Sequence, residues 1–308
     1  MRNIIIYRYI LEVVRAGSVR KAAERLAITP SSLNRRIQSF EQEMGGPIFE
    51  KNAQGVRLNA AGELAVHAFK KHLAEIDVLK AQIEDLRGIR RGTVSITCSQ
   101  PLLPHFLPRQ ILKYQKQFPG VDFNVSVADP EESEVALLNY EADLAITFSP
   151  LPTESFETVA RLEQSIFAIM SSVHPLTRHE RLNLTQCVEF PLALHDSSYS
   201  IGKILDSQAQ LSRLSLRPYL KSNSFILLQN YILNSDAVGF EIEIGLLEND
   251  LHGLVTRPLM LNAPRKMSVQ LIKLRGRNLS VAAAKFVEQV ASAFNLDACN
   301  SINHLPGK

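Results

Sequence analysis

Beyond Gly62 the chain runs to Arg87 without a glycine or a proline, and Ala61, Ala65, Ala68, His72, Ile76, Leu79, Ile83 and Leu86 recur every three or four positions. That pattern predicts one helix from Ala60 to Arg87, about 40 Å long at 1.5 Å per residue. It divides 308 residues into a short N-terminal module and a C-terminal module of some two hundred residues. A long helix with a narrow apolar seam, lying outside any evident domain core, pairs most naturally with a second copy of itself. A homodimer through this linker helix is therefore expected. His72, alone in the seam, is read as a tolerated polar position and given no chemistry.

The net charge of +3 hides an asymmetry. Residues 1–92 carry 16 Lys and Arg against 10 Asp and Glu, whereas residues 93–308 carry 18 against 21. A basic module followed by a mildly acidic one suggests a polyanion as the first partner and something else as the second. Between them Gly88 and Gly92 bracket a basic cluster, so residues 88–92 read as a hinge. Charges interrupt every apolar run near Met1, and no run approaches a membrane span. Cys98, Cys187 and Cys299 are odd in number and far apart, so they suggest neither a disulfide framework nor a CxxC metal site. A cytoplasmic protein without cofactor or metal, and with no membrane partner, is expected.

In the basic module Ile6, Ile10, Val13 and Val14 have helical spacing, which stops at Ala16-Gly17. Ser18 is then a candidate cap for a second helix, Val19 to Leu26, in which Ala22-Ala23 permits close packing. Thr29 is a good N-cap and Pro30 suits the first position of a third helix ending near Met44. Helix, short turn and helix form a helix-turn-helix, whose second member can enter a DNA major groove. On that third helix Leu33, Ile37, Phe40 and Met44 make an apolar stripe, expected in the core. Ser31, Arg35, Gln38 and Gln42 lie opposite, with Ser32 and Ser39 on the flank. Arg matches guanine O6 and N7, and Gln matches adenine N6 and N7, each through two hydrogen bonds. Next, residues 47–51 and 56–58 bracket Asn52-Ala53-Gln54-Gly55 and read as a two-stranded wing, with Lys51 and Arg57 as backbone contacts that add affinity without sequence preference.

These residues together carry a resemblance. Arg8-Tyr9-Ile10-Leu11, Ala16-Gly17-Ser18, Ala22-Ala23-Glu24-Arg25-Leu26, Ile28-Thr29-Pro30-Ser31, Arg35-Arg36-Ile37, Ile48-Phe49-Glu50-Lys51 and Gly55 to Gly62 resemble LysR-type transcriptional regulators, in order, over the first 62 residues. The resemblance implies a winged helix-turn-helix (1–59), a dimerising linker helix (60–87), the hinge, and an effector-binding domain (93–308) of two α/β subdomains like a type II periplasmic solute-binding protein. Its DNA-binding set is Ser18, Arg20, Lys21, Thr29, Ser31, Ser32, Asn34, Arg35, Arg36, Gln38, Lys51 and Arg57. Double-stranded DNA, a small-molecule effector and the transcription machinery are the implied partners, and the family usually pairs dimers into tetramers. Asn34 stands where the family commonly has Ser, and Phe40 where it has Leu.

The C-terminal module alternates strand and helix: strand 93–97, helix 103–118, strand 121–127, helix 131–140 and strand 143–148. This predicts a parallel sheet with helices on both faces. The family likeness continues through Phe106-Leu107-Pro108, Asp143 to Ile146, His174-Pro175-Leu176 and Ser222-Asn223-Ser224, and implies two crossovers, placed near 161–164 and 264–268. Subdomain 1 would comprise 93–161 and 268–308, and subdomain 2 residues 162–267. Ligands of open parallel sheets sit beyond the carboxyl ends of the strands. That rule selects Thr97, Ser99, Gln100, Thr147 and Ser149 in one half and His195, Asp196, Ser197 and Ser198 in the other; Ser224, Phe240 and Glu241 are added by resemblance. Each small polar residue at a strand end could equally cap a helix. Asp196 and Glu241, with no Arg among these positions, favour a neutral or cationic effector over a polyanion.

Three other readings fit the sequence less well. A redox-sensing regulator would use Cys98 or Cys187, but Cys98 follows an apolar strand with no basic residue between Arg91 and Arg109, which favours an inert thiol. A solute-binding protein working alone leaves the basic winged helix without a purpose. An enzyme is not expected, because no GxSxG, HExxH, CxxC or phosphate-loop pattern occurs.

Overall fold

The computed structural model describes residues 2–52, 55–86, 91–148, 151, 154–196, 200–246, 253–261 and 267–303, with side chains at 2–3, 51–52, 84–86 and 297–303 outside that description. It falls into two compact units, Met1–Lys80 and Ala81–Lys308. In the first, α1 (Arg2–Ala16), α2 (Val19–Arg25) and α3 (Pro30–Glu43) precede a hairpin of β1 (Phe49–Asn52) and β2 (Gly55–Leu58), and α4 (Ala60–Leu86) follows. The hairpin register pairs Glu50 with Arg57 and Asn52 with Gly55, the tight antiparallel ribbon expected of a wing.

Ile10, Val13, Ala22, Ala23, Leu33, Ile37, Phe40 and Ile48 are buried together, and α4 adds Ala65, Val66 and Phe69 to the same core. The Phe69 ring stacks on Tyr7 at 4.2 Å and meets Phe40 edge-on at 5.3 Å. The first half of α4 is thus anchored in the winged helix through Val66 and Phe69 as well as Ala65, a correction to the expectation that its seam lies outside a core. Leu64, Leu79 and Ile83 remain exposed. Met44 also departs from expectation: it is 58% exposed, because it is the C-cap of α3 and the stripe has run past the core.

Two close approaches fix the wing. Gly17 O accepts from Val56 N at 3.2 Å, and a side chain at Gly55, whose φ is +135°, would lie 2.5 Å from that same oxygen. Asn59 donates from Nδ2 to Pro47 O at 2.8 Å and accepts from Gly62 N at 2.9 Å, capping α4 while holding the strand before it.

The second unit contains β3 (Gly92–Cys98), α5 (Phe106–Gln117), β4 (Val121–Val127), α6 (Pro130–Leu138), β5 (Leu144–Thr147), β6 (Phe156–Gln164), β7 (Ile166–Ser171), β8 (Leu182–Asn183), α7 (Leu184–Cys187), β9 (Leu192–His195), α8 (Ser200–Leu211), β10 (Pro218–Ser222), α9 (Phe225–Leu233), β11 (Gly239–Ile242), β12 (Leu254–Met260), β13 (Met267–Leu274) and α10 (Val281–Asn303). One half is built on the sheet β4-β3-β5-β13-β6, the other on β11-β7-β12-β8 with the pair β10-β9 beside it. Val94, Ile96 and Leu144 face α5 and α10, whereas Ala145 and Ile272 pack with Leu137 of α6, so helices cover both faces.

The sheets are mixed rather than parallel. β4, β3 and β5 run parallel, as do β9 and β10, but β13 is antiparallel to β5 and β6, and β7 is antiparallel to β11 and β12. The reason is topological: β6 and β7 carry the chain out of the first half and β12 and β13 bring it back, so each outgoing strand meets a returning one of opposite sense. Pairing of Gln164 with Met267 extends the first sheet three residues beyond position 161, leaving Ser165 as the outward crossing. Ser165 is pinned there: its N–H donates to Glu243 Oε2, its carbonyl accepts from Glu243 N, and Gln164 Oε1 accepts from Ile244 N at 2.7 Å.

At Gly62 a methyl group would overlap the Ile48 carbonyl oxygen and lie 2.9 Å from Leu58, whereas at Gly46 it would meet nothing within 4 Å. Gly62→Ala is therefore expected to destabilise the first unit by about 2–3 kcal/mol and Gly46→Ala by less than about 1 kcal/mol. Calorimetry of the full chain checks this; equal shifts for the two variants would contradict the packing described.

Candidate functional site

The first candidate surface is α3. Thr29 caps it, its hydroxyl oxygen accepting from Ser32 N at 3.3 Å, and Pro30 occupies the first turn. Leu33, Ile37 and Phe40 are at most 8% exposed, which turns Ser31, Asn34, Arg35 and Gln38 to solvent. Arg36 is also exposed, but its guanidinium lies over the Tyr9 ring at 5.6 Å, so it leans back against α1. Ser18 stands at the N-cap of α2 in extended conformation, yet its side chain makes no cap hydrogen bond, contrary to expectation. Arg20 and Lys21 are exposed on α2, Arg20 in a solvated pair with Glu24 at 3.4 Å, an arrangement that contributes little to stability. Arg57 is exposed on β2; the Lys51 side chain lies outside the described residues. Glu41 accepts from Ile48 N at 2.9 Å, tying the far end of α3 to the wing.

The second candidate is the junction of the two halves of the C-terminal unit. Gln100 lies in a short 3-10 turn after β3, and its Oε1 accepts from Phe225 N, at the start of α9, at 3.4 Å. Pro101 lies against Gly245 of a second 3-10 turn, 3.4 Å from where a Cβ of Gly245 would stand. His195, at the end of β9, is 3% exposed; its Nε2–H donates to Phe240 O at 3.1 Å, and its ring lies 4.0 Å from that of Phe225. Glu241 of β11 is 1% exposed, 3.8 Å from His195 Nε2, with Gln229 of α9 donating to it at 3.5 Å. Burial pushes the Glu241 carboxyl up to about 8 and the His195 imidazole down to about 4. Loss of solvation outweighs their mutual attraction at that separation, and the pair is held neutral at pH 7.

Other selected positions take structural roles. Thr97 Oγ1 bonds Ser133 Oγ of α6 at 3.2 Å inside the first half. Ser224 caps α9, accepting from Leu227 N, and Phe240 offers its carbonyl while its ring belongs to the core. Ser99 is 7% exposed just before the Gln100 turn, and the buried Thr147 hydroxyl has no hydrogen-bond partner among the described residues. Ser149, Ser197 and Ser198 lie outside the described residues. Asp196 is half exposed and 3.9 Å from Lys221. Asp196 thus has a cation beside it, whereas Glu241 is buried. Gln229, Gly245 and Lys221 were not singled out from sequence; Gln229 lies one turn after the α9 cap and could have been placed by helical spacing. Among the described residues no group of three or more His, Cys, Asp or Glu could hold a metal, and no helix is long and apolar enough to cross a membrane.

Two family models match the chain: the bacterial regulatory helix-turn-helix protein of the lysR family over residues 6–63, and the LysR substrate binding domain over residues 87–295. A probable RuBisCO transcriptional regulator of Synechocystis is 25% identical over 298 residues, covering 94% of this chain and 85% of the relative. The transcriptional activator CmpR of the same organism is 21% identical, covering 94% and 95%. Among solved structures, a full-length OxyR variant from Pseudomonas aeruginosa superposes with a TM-score of 0.70 at 17% identity, covering 95% and 94% of the two chains. Full-length CbnR complexed with its target DNA superposes with a TM-score of 0.57 at 15% identity, covering 94% and 99%.

Cys98 and Cys187 are fully buried, and burial pushes both thiols up to about 12. Such thiols are protonated and shielded, the opposite of a reactive sensor. After brief iodoacetamide treatment of the native protein at pH 8, peptides carrying Cys98 and Cys187 are expected to be unmodified by mass spectrometry. Labelling as fast as in urea would restore the redox reading.

Proposed function

Because the chain belongs to the LysR family of bacterial transcriptional regulators, we propose that α3 is the helix by which it reads the major groove of its operator, and that an effector held between the two halves of the C-terminal unit regulates that binding. The observation that carries the reading is the division of α3 into a buried stripe and an exposed face of Ser31, Asn34, Arg35 and Gln38. Those side chains donate and accept without net negative charge, as base edges require. Arg20, Lys21, Lys51 and Arg57 supply backbone contacts, which set affinity and its salt dependence. Thr29 and Ser32 build the start of the reading helix; Arg36 braces it on Tyr9. The relatives are regulators rather than enzymes, and a non-enzymatic role in the cytoplasm, where the DNA is, accords with them.

The exposed Leu79 and Ile83 of α4 support pairing of two chains through this helix, which gives two reading helices for a two-fold operator. A further pairing of dimers, and contact with the transcription machinery, follow from the family reading. An effector touching groups of both halves, Ser99 and Gln100 in one and His195 in the other, shifts the equilibrium between their arrangements; one touching a single half shifts nothing. By linkage, operator DNA must then change effector affinity by the same factor as effector changes DNA affinity.

Fluorescence anisotropy with selected duplexes tests the reading helix. Arg35→Ala is expected to cost about 1–3 kcal/mol and relax preference at one base pair, while Lys51→Ala weakens all sequences alike. Equal affinity of the unaltered protein for selected and random DNA would overturn the assignment. Charged residues in place of Leu79 and Ile83 are expected to dissociate the dimer in sedimentation, since they would bury unpaired charge; an unchanged sedimentation coefficient places the dimer contact elsewhere.

A further inference from the structure

A buried titratable pair lies beneath the proposed cleft. His195 and Glu241 are almost wholly buried, 3.8 Å apart, on neighbouring strands of the second half. What covers them is in turn covered from the first half: the Phe225 ring lies on His195 while Phe225 N–H donates to Gln100, and Gly245, which flanks Glu241 Oε2, is backed by Pro101. Resting on the reading that the two halves form an effector cleft, we propose that closing the Gln100–Pro101 turn over Phe225 and Gly245 takes up one proton on the His195–Glu241 pair, making the cleft open more readily as pH rises through neutrality.

The proton count does not depend on where the proton sits. Protonated Glu241 beside neutral His195, and the corresponding ion pair, each hold one. An ionised Glu241 beside a neutral His195 would hold none, and would leave a bare negative charge out of water. Among the described residues no charged group compensates it. From α9 come Gln229 and Phe225; from β7, Phe167 opposite Glu241; from the first half, Gln100 and Pro101. Lys221 of β10 is half exposed and engaged with Asp196, Glu243 accepts from Ser165 N, and Lys203 and Asp206 of α8 are exposed.

The sign follows from the solvated references, 4.5 for Glu and 6.5 for His. Between about pH 4.5 and 6.5 the open pair also holds one proton, on His195, and closure is indifferent to pH. Above 6.5 the open pair releases it, while the closed pair keeps it up to about 8 through the raised carboxyl. Closure therefore weakens by about tenfold per pH unit between roughly 6.5 and 8. Below 4.5 the open pair takes a second proton that the buried imidazole, lowered to about 4, resists, and closure weakens again.

Hydrogen–deuterium exchange of the Phe225 amide in the full-length protein, corrected for intrinsic rates, measures this opening. The expected protection is constant near pH 6 and falls about tenfold per unit from 6.5 to 8. In Glu241→Gln, which cannot ionise, the expected protection is independent of pH over that window. Opening that is independent of pH in the wild type, or a pH dependence that survives in Glu241→Gln, overturns the proton-linked closure and leaves the effector cleft standing. Exchange of Phe225 only through global unfolding at every pH overturns the moving cleft itself, and the proposal with it. The wild-type profile alone decides if Glu241→Gln does not fold.

Discussion

A helix of fourteen residues has two faces, and in α3 the core claims one of them. Burying Leu33, Ile37 and Phe40 contributes about 1.5–3 kcal/mol per side chain, and among the described residues the polar groups opposite have no comparable partner until DNA is bound. That burial sets the rotation of the helix about its axis, so Arg35 and Gln38 point outward whether or not DNA is present. The same core fixes the neighbours of the reading face. Phe40 meets Phe69 of α4 edge-on, Glu41 holds the wing by the Ile48 amide, and Gly62 lets α4 pass close to that strand. α3, the wing and the first half of α4 are therefore packed on one core, and pre-arranged polar groups lose less conformational entropy on binding.

The C-terminal unit solves a different problem, in which two sheets must remain one chain and yet act as the walls of a site. Two crossovers achieve this, and the outward one is a single residue, Ser165, held through its backbone by Glu243. Close to that pinned point, the side-chain amide of Gln100 and the edge of Pro101 meet the second half at Phe225 and Gly245. Weak contacts next to a strong pivot are what an effector can redistribute, since a few kcal/mol separate the arrangements of such elements.

Residues with a single strong local determinant were legible in the sequence. Thr29-Pro30 marked the start of α3, the turn at Gly17 separated α1 from α2, and the stripe at Leu33, Ile37 and Phe40 gave the buried face. Where tertiary choice decided, reading failed in identifiable ways. The seam drawn through Ala61, Ala65, Ala68 and His72 missed Val66 and Phe69, because periodicity alone does not say which of two adjacent stripes meets a core; the aromatic Phe69 was the available signal. Alternating strands and helices suggested parallel sheets, since local patterns carry no information on the sense in which a distant strand such as β13 returns. Small polar residues at strand ends were ambiguous from the outset. Thr97 turned inward to Ser133 and Ser224 capped a helix, while Gln100 and His195 did come together at the junction through Phe225.

On the proposed function, the exposed face of α3 selects a particular DNA sequence. Sequencing the genomic fragments retained by the purified full-length protein tests it most directly. The expected result is a shared motif of two related half-sites about 10 base pairs apart, centre to centre, or a multiple of that spacing. Retained fragments no more alike than the input DNA would contradict it.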